Sequence, residues 1–260
     1  MYDIRAIIVA AGASTRLRPL TNEVPKCMLE INKKPLIKHC MDHLNNNGIK
    51  HISVVTGYKA EKISFDSLHR YHNNDYLNNN ILHSLLCARE VLELAIKEKN
   101  SIVISYSDIW YDQSIIKSLI QSKGDINLVV DTEWQSAYEG RTDHPVSEAE
   151  LAFFTEGGVL KTIGKNAKKP MVGKSLSGEF IGLLFMKPSG IKQFLHHFDK
   201  VNTSLTLKSP FQKAAEWQKS YITDIIQDMV EFQAVVNCVA IEGKWKEFDT
   251  VQDFKIGLPE

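Results

Sequence analysis

The chain has no excess of charge. Its 31 Lys and Arg are matched by 31 Asp and Glu among 260 residues. That balance excludes a nucleic-acid binder relying on bulk positive charge, while leaving room for a local basic site. Cysteine is sparse. Cys27, Cys40, Cys87 and Cys238 show no C-x-x-C spacing and sit among apolar neighbours, which argues for reduced thiols over zinc or disulfides. No apolar run approaches the ~20 residues of a membrane span. The chain passes from Tyr2-Asp3-Ile4-Arg5 directly into a strand, with no signal-peptide layout. A cytoplasmic protein without membrane insertion is therefore expected. There is no internal repeat, low-complexity tract or linker. No Ser-His-Asp or Cys-His arrangement stands out as a nucleophile. His39 and His43 lie four apart on a predicted helix, but without a third ligand they read as a helix face.

What is present is ample apolar material, 43% of the chain, enough for a sizeable core. The first half alternates strands and helices. Strands are predicted at 4–9, 52–55, 101–105 and 126–131, with helices at 35–46, about 60–71, 81–95 and 114–121. This alternation implies parallel βαβ units, hence an α/β, Rossmann-like, mostly parallel sheet flanked by helices. The second half changes character. Short strands at 151–155, 159–163 and 180–186 surround a Gly157-Gly158 hairpin signal, followed by helices at 190–198 and 222–232 and a strand at 234–240. The polar run Asn202–Lys213 reads as a loop or an oligomer contact, the latter leaving a homodimer open. The expected organisation is one domain over 1–260, with a first part at about 1–130 and a second part at about 131–260. The chain is also compatible with one module of a longer polypeptide.

The most informative stretch is Ala6–Lys26, AIIVAAGASTRLRPLTNEVPK. An apolar strand runs into Ala10, Ala11, Gly12, Ala13, Ser14 and Thr15. Small residues let a ligand approach the main chain, and successive N–H groups in such a loop cradle anions. Arg16 and Lys26 add full positive charge, suited to a polyphosphate. Neither G-x-x-x-x-G-K-[ST] nor G-x-G-x-x-G is present. In parallel sheets ligands bind beyond the carboxyl ends of the strands. The Gly57-Tyr58 corner and Asp108 also follow strands. Asp108 and Asp249 are carboxylates of the type that hold Mg2+, although each also fits a cap or turn. Asn80 and Ser84 at a helix start suit either base or ribose contact or capping alone. Trp134, Tyr138 and Arg141, with Glu150, combine aromatic faces, a guanidinium and a carboxylate. Such a set can take a phosphate and an ammonium.

The full string at 6–26 resembles the A-A-G-x-G-x-R-L-x-P-x-T-x-x-x-P-K signature of nucleotidylyltransferases, which join a nucleoside triphosphate to a sugar phosphate or small phosphate ester. Ala13-Ser14 replaces a second glycine or small residue at one place. The resemblance covers nearly the whole chain. It implies Mg2+ held by Asp108 and by Asp249 of the W-x-E-[apolar]-D element Trp245–Asp249. It implies acceptor contacts from Trp134, Tyr138, Arg141 and Glu150, which is similar to a pattern in cytidylyltransferases acting on phosphocholine and small phosphonates. Lys165, Glu179 and Asp224 match further elements of those members. The implied activity is transfer of CMP from CTP to 2-aminoethylphosphonate or phosphocholine, with release of pyrophosphate, the part at about 1–130 binding the nucleotide and a small lobe at about 131–260 the acceptor. A sugar-1-phosphate nucleotidylyltransferase and a non-catalytic nucleotide-binding module are the alternatives.

Overall fold

The computed structural model describes residues 3–171 and 173–257. Its first strand, β1 (Ile4–Ala10), is buried on both faces. A small hairpin of β2 (Glu30–Ile31) and β3 (Lys34–Pro35) leads into α1 (Leu36–Asn46), and β4 (His51–Thr56) follows. Then come β5 (Leu68–His72), α2 (Ile81–Leu86), α3 (Arg89–Glu98), β6 (Ser101–Tyr106), β7 (Ile109–Tyr111), α4 (Gln113–Ile120) and β8 (Ile126–Asp131). The second half holds β9 (Glu150–Phe154), β10 (Leu160–Lys165), β11 (Leu176–Met186), α5 (Pro188–Ser204), α6 (Ile222–Glu231), β12 (Asn237–Ile241), β13 (Trp245–Glu247) and α7 (Val251–Ile256).

The central sheet is mixed and mostly parallel, as expected. Strands β6, β1, β4 and β5 run parallel in that order, and β12 runs parallel to β8. Strand β11 joins the two sets antiparallel to both β6 and β8. It is long enough for a second partnership. Residues Leu183–Met186 pair with β6, while Leu176–Glu179 pair with β9 on the same edge. Gly182 lies at the changeover with φ +83°, and a Cβ there would meet the Tyr106 ring at 2.6 Å. Only glycine suits both constraints. Strands β9 and β10 form the hairpin anticipated from Gly157-Gly158.

Side-chain alternation along β1 feeds two cores. Ile7 and Val9 face the layer of α2, α3, α5 and α6, where Leu85, Leu92, Phe194 and Ile226 are buried. Ala6 and Ile8 face α1 and α4 with Ile37, Met41 and Ile116.

Two expectations are corrected. The predicted helix at about 60–71 is instead a single 3-10 turn (Ala60–Lys62) followed by β5. Its residues Leu68-His69-Arg70-Tyr71-His72 carry no helical apolar stripe. Pairing with β4 along the sheet edge decides their conformation. The predicted helix 81–95 is two helices. At Cys87 and Ala88 the N–H groups bond to carbonyls three residues back, tightening the chain between α2 and α3.

The carboxyl end of β8 ties the sheet to the strand that follows it in the site. Buried Asp131 accepts from Trp245 Nε1 at 2.7 Å, from the Gly243 N–H at 2.8 Å and from the Glu133 N–H at 3.0 Å. Asp131→Ala leaves these donors without an acceptor. It should lower unfolding free energy by about 3 kcal/mol, read as a reduced urea midpoint with unchanged slope. A midpoint equal to wild type would show the anchor to be dispensable.

Candidate active site

The strand-end loops converge on one cleft of about 370 Å³. One wall is Ala10, Ala11, Gly12, Ser14, Thr15 and Arg16. No atom lies within 4 Å of a Cβ placed on Gly12, so the backbone is open on that side. Ser14 takes a left-handed conformation, φ 47°, and its carbonyl accepts from Leu17 N at 3.1 Å and Thr21 Oγ1 at 3.0 Å. Ala13 turns away from the lining. Gly57 and Tyr58 stand behind the loop. The Tyr58 N–H donates to the Ala11 carbonyl at 3.1 Å, and a Cβ at Gly57 would sit 2.5 Å from that oxygen.

Lys26 enters from a one-turn 3-10 helix after Pro25. Its buried Nζ donates to Asp108 Oδ2 at 2.8 Å and to Asp249 Oδ1 at 2.6 Å. Arg16 pairs with the other oxygen of Asp249. Burial opposes the Lys26 charge, but Asp108, Asp249 and Glu247 outweigh it and hold the ammonium well above its ordinary pKa. Burial also opposes ionisation of Asp249. Lys26, His144 and Arg16 reverse that and hold the carboxyl far below the usual range. Glu247 shifts the other way, pushed up by burial and by Asp249 and Asp108.

The two aspartates are held from behind. The Phe248 N–H donates to the Asp108 carbonyl at 2.9 Å, and Glu247 pairs with Ile109 across β7 and β13. Asp253 accepts from the Asp249 N–H at 2.9 Å and the Thr250 N–H at 2.8 Å, while Thr250 Oγ1 caps α7. Arg141 Nε donates to Asp253 at 2.8 Å, and its guanidinium lies 5.2 Å over the Tyr138 ring.

Asp108 Oδ1 is buried without a hydrogen-bond partner. His144 Nδ1 is 3.3 Å from Asp249 Oδ2, and its Nε2 is 3.6 Å from Glu247. His144, Glu247 and Asp249 place their donor atoms within 4.8 Å of one another. Three carboxylates against Lys26 and Arg16, with an orphaned hard oxygen, form a donor set that suits a divalent cation.

The far end of the cleft carries Glu148, Glu150, Lys165, Glu179, Tyr106 and Tyr221. Lys165 Nζ donates to Glu148 at 2.6 Å and to the Tyr221 hydroxyl at 3.0 Å. Glu150 accepts from Thr223 at 2.5 Å, and Glu179 Oε1 accepts from Tyr138 at 2.5 Å. Glu179 Oε2 and the Tyr106 hydroxyl are buried with no partner. Burial drives the carboxyl of Glu150 up to about 7 and that of Glu179 up to about 8.

The third region is uncharged: Tyr76, Asn79, Asn80, Ile81 and Ser84. Asn80 caps α2, accepting from the Ile81 N–H at 2.8 Å and donating to the Lys219 carbonyl at 3.1 Å.

The structure therefore brings most of the predicted residues to one cleft and leaves others outside its lining. Trp134 and Tyr138 pack with Ala149 behind Glu179. Arg141 serves Asp253, and Asp224 caps α6 through the Tyr221 N–H at 2.8 Å. Sequence reasoning missed His144, Glu148, Tyr76, Asn79, Tyr106 and Tyr221. Nothing in the sequence separates His144 from the other histidines except its place beside Pro145.

An open small-residue loop, a caged lysine and two strand-end aspartates stand together in this cleft. The family model described as nucleotidyl transferase matches residues 5–139, and the chain belongs to that family. Across its length the chain is similar to the CTP:phosphoglutamine cytidylyltransferase of Campylobacter jejuni, at 29% identity over 98% of this chain and 99% of that one. It is 35% identical to the choline-phosphate cytidylyltransferase of Streptococcus pneumoniae over 46% of this chain and 51% of that one. The solved CTP:phosphocholine cytidylyltransferase of Streptococcus pneumoniae shares the fold, with a TM-score of 0.69 at 20% identity over 98% of this chain and 97% of that one. Among the described residues no helix is long and apolar enough to cross a membrane.

Glu179 binds its proton more tightly folded than unfolded, since its pKa rises from 4.5 to about 8. Its contribution to stability is complete below pH 4.5 and is lost as pH rises toward 8. Between pH 5 and 7, Glu179→Gln should lose about 1 kcal/mol less stability per pH unit than wild type. Parallel slopes in urea titrations across that range would contradict the assignment.

Proposed function

We propose that this cleft transfers CMP from CTP to a small phosphate or phosphonate acceptor bearing a cationic amine. The observation that carries this is the division of the cleft. A caged lysine and anion loop occupy one end, and buried Glu150 and Glu179 the other. The relatives' cytidylyltransferase names support the choice of CTP. The two buried carboxyls support an ammonium on the acceptor, because such a group satisfies the free oxygen of Glu179 and compensates its desolvation. Lys165 is placed to meet acceptor anion charge.

The reaction needs no general base. A phosphate monoester has its second pKa at ~6 and is largely dianionic near neutrality. One acceptor oxygen bonds to the α-phosphorus, the α–β phosphoanhydride bond breaks, and its electron pair leaves with pyrophosphate. The residues supply position and charge. The Gly12 loop and Arg16 hold the departing phosphates, and Lys26 bears on the α-phosphoryl group. Mg2+ would be held by Asp108 and Asp249 and, when bound, would neutralise phosphate oxygens.

Pyrophosphate release is the direct test, with four nucleoside triphosphates set against phosphocholine, 2-aminoethylphosphonate, phosphoglutamine and glucose-1-phosphate. CTP with an amine-bearing acceptor should give the highest kcat/KM. Release only from a sugar-1-phosphate, or nucleotide binding with no release, would refute the proposal. Lys26→Ala and Asp108→Ala should each lower kcat at least about 10²-fold while keeping the wild-type far-ultraviolet spectrum. Near-wild-type turnover in either folded variant would remove that residue from the chemistry.

A further inference from the structure

The uncharged end of the cleft contains a residue whose effect reaches the ligand only through its neighbours. Asn73 is 1% exposed and does not line the cleft. It follows β5, and its own N–H donates to the Thr56 carbonyl at 2.8 Å, which fixes its backbone to the end of β4. All four hydrogen-bonding positions of its carboxamide are used. Oδ1 accepts from the Asp75 N–H at 3.0 Å and from Asn79 Nδ2 at 3.0 Å. Nδ2 donates to Asn79 Oδ1 at 2.8 Å and to Ser84 Oγ at 2.9 Å.

The orientation of this carboxamide is determined. A backbone N–H only donates, so the atom facing Asp75 must be the oxygen, and the atom facing Ser84 must be the nitrogen. Ser84 Oγ is thereby obliged to accept. Among the described residues its hydroxyl hydrogen has no protein acceptor, and Ser84 lines the cleft. The hydroxyl keeps a second lone pair, but an unpaired buried O–H costs more than an unused lone pair, so that end of the cleft favours a ligand acceptor.

Tyr76, Asn79, Ile81 and Ser84 make this the part of the cleft free of ionisable side chains other than the tyrosine. That chemistry suits a nucleobase better than a phosphate or an ammonium. We infer that Asn73 is a positioning residue for base selection: it polarises Ser84 as a donor, so the site accepts cytosine and disfavours uracil. The ring N3 of cytosine is an acceptor, whereas that of uracil carries a hydrogen. Facing N3, the Ser84 hydroxyl can give its hydrogen to cytosine, whereas a uracil N3–H takes the remaining lone pair and leaves the buried hydroxyl hydrogen unpaired. The inference rests on the proposed cytidylyl transfer, in that the base enters this end.

Replacing the amide by a carboxylate reverses the polarity. In Asn73→Asp both side-chain oxygens accept, so Ser84 must spend its hydrogen on residue 73 and turn lone pairs to the cleft. Calorimetric titration with CTP and with UTP reads the outcome. Wild type should bind CTP more tightly than UTP, and Asn73→Asp should reduce the CTP/UTP affinity ratio by about tenfold. A change that was merely structural would weaken both nucleotides in proportion. Ser84→Ala removes the polarised group without touching the buried amide, and it should lower the ratio similarly even if Asn73→Asp fails to fold. An unchanged ratio in folded Asn73→Asp or in Ser84→Ala, with wild type still preferring CTP, overturns the inference and leaves cytidylyl transfer standing. A wild type that binds UTP as tightly as CTP overturns both.

Discussion

The site depends on one buried ammonium held between two carboxylates that lie 82 and 223 residues further along the chain. Lys26 lies 2.8 Å from Asp108 and 2.6 Å from Asp249. Three loops of like charge or none would not converge on their own. Desolvating Asp249 costs several kcal/mol unless a cation meets it. Lys26 and Arg16 provide that, and Asp108 and Asp249 return it to Lys26. The carboxyl ends of β1 and β6 and the segment after β13 are therefore brought together by mutual neutralisation. The sheet sets their distance, and the charges set their register.

The same logic separates the two ends of the cleft. Beside Lys26 and Arg16, Asp249 is held ionised by paired cations. Around Glu150 and Glu179 no such pairing exists, apart from the more distant Lys165, and burial favours the protonated form. A single cavity thus offers two electrostatic regimes, one where cations hold a carboxylate ionised and one where burial raises carboxyls whose nearest cation, Lys165, is paired with Glu148.

Much of this was legible in the sequence because it rests on local chemistry. The strand β1, the small-residue loop, Arg16 and Lys26 form one contiguous string, so spacing alone exposes them. Asp108 is legible because it follows a recognisable strand, and Asp249 because it closes the W-x-E-[apolar]-D string of the resembled family. What spacing does not reveal is which side of a wall a residue occupies. Trp134, Tyr138 and Arg141 are the right residue types for an acceptor, yet they stand behind Glu179 and Asp253, and only the packing of the 3-10 turn Trp134–Tyr138 determines this. His144 and Asn73 were not legible because their roles arise from contacts across the fold. Segment 68–72 escaped for a related reason, since its strand conformation comes from an edge pairing with β4.

The Lys26–Asp249 contact spans 223 residues of chain, and Asp249 is held by Asp253, Thr250 and Arg141 in a closed set. During synthesis Lys26 emerges before Asp108, and both emerge before Asp249. Until then only one of the two carboxylates that meet Lys26 has been made. The turn at Asp249 is made after every strand of the central sheet. A nascent chain with a finished sheet is still a chain without a site.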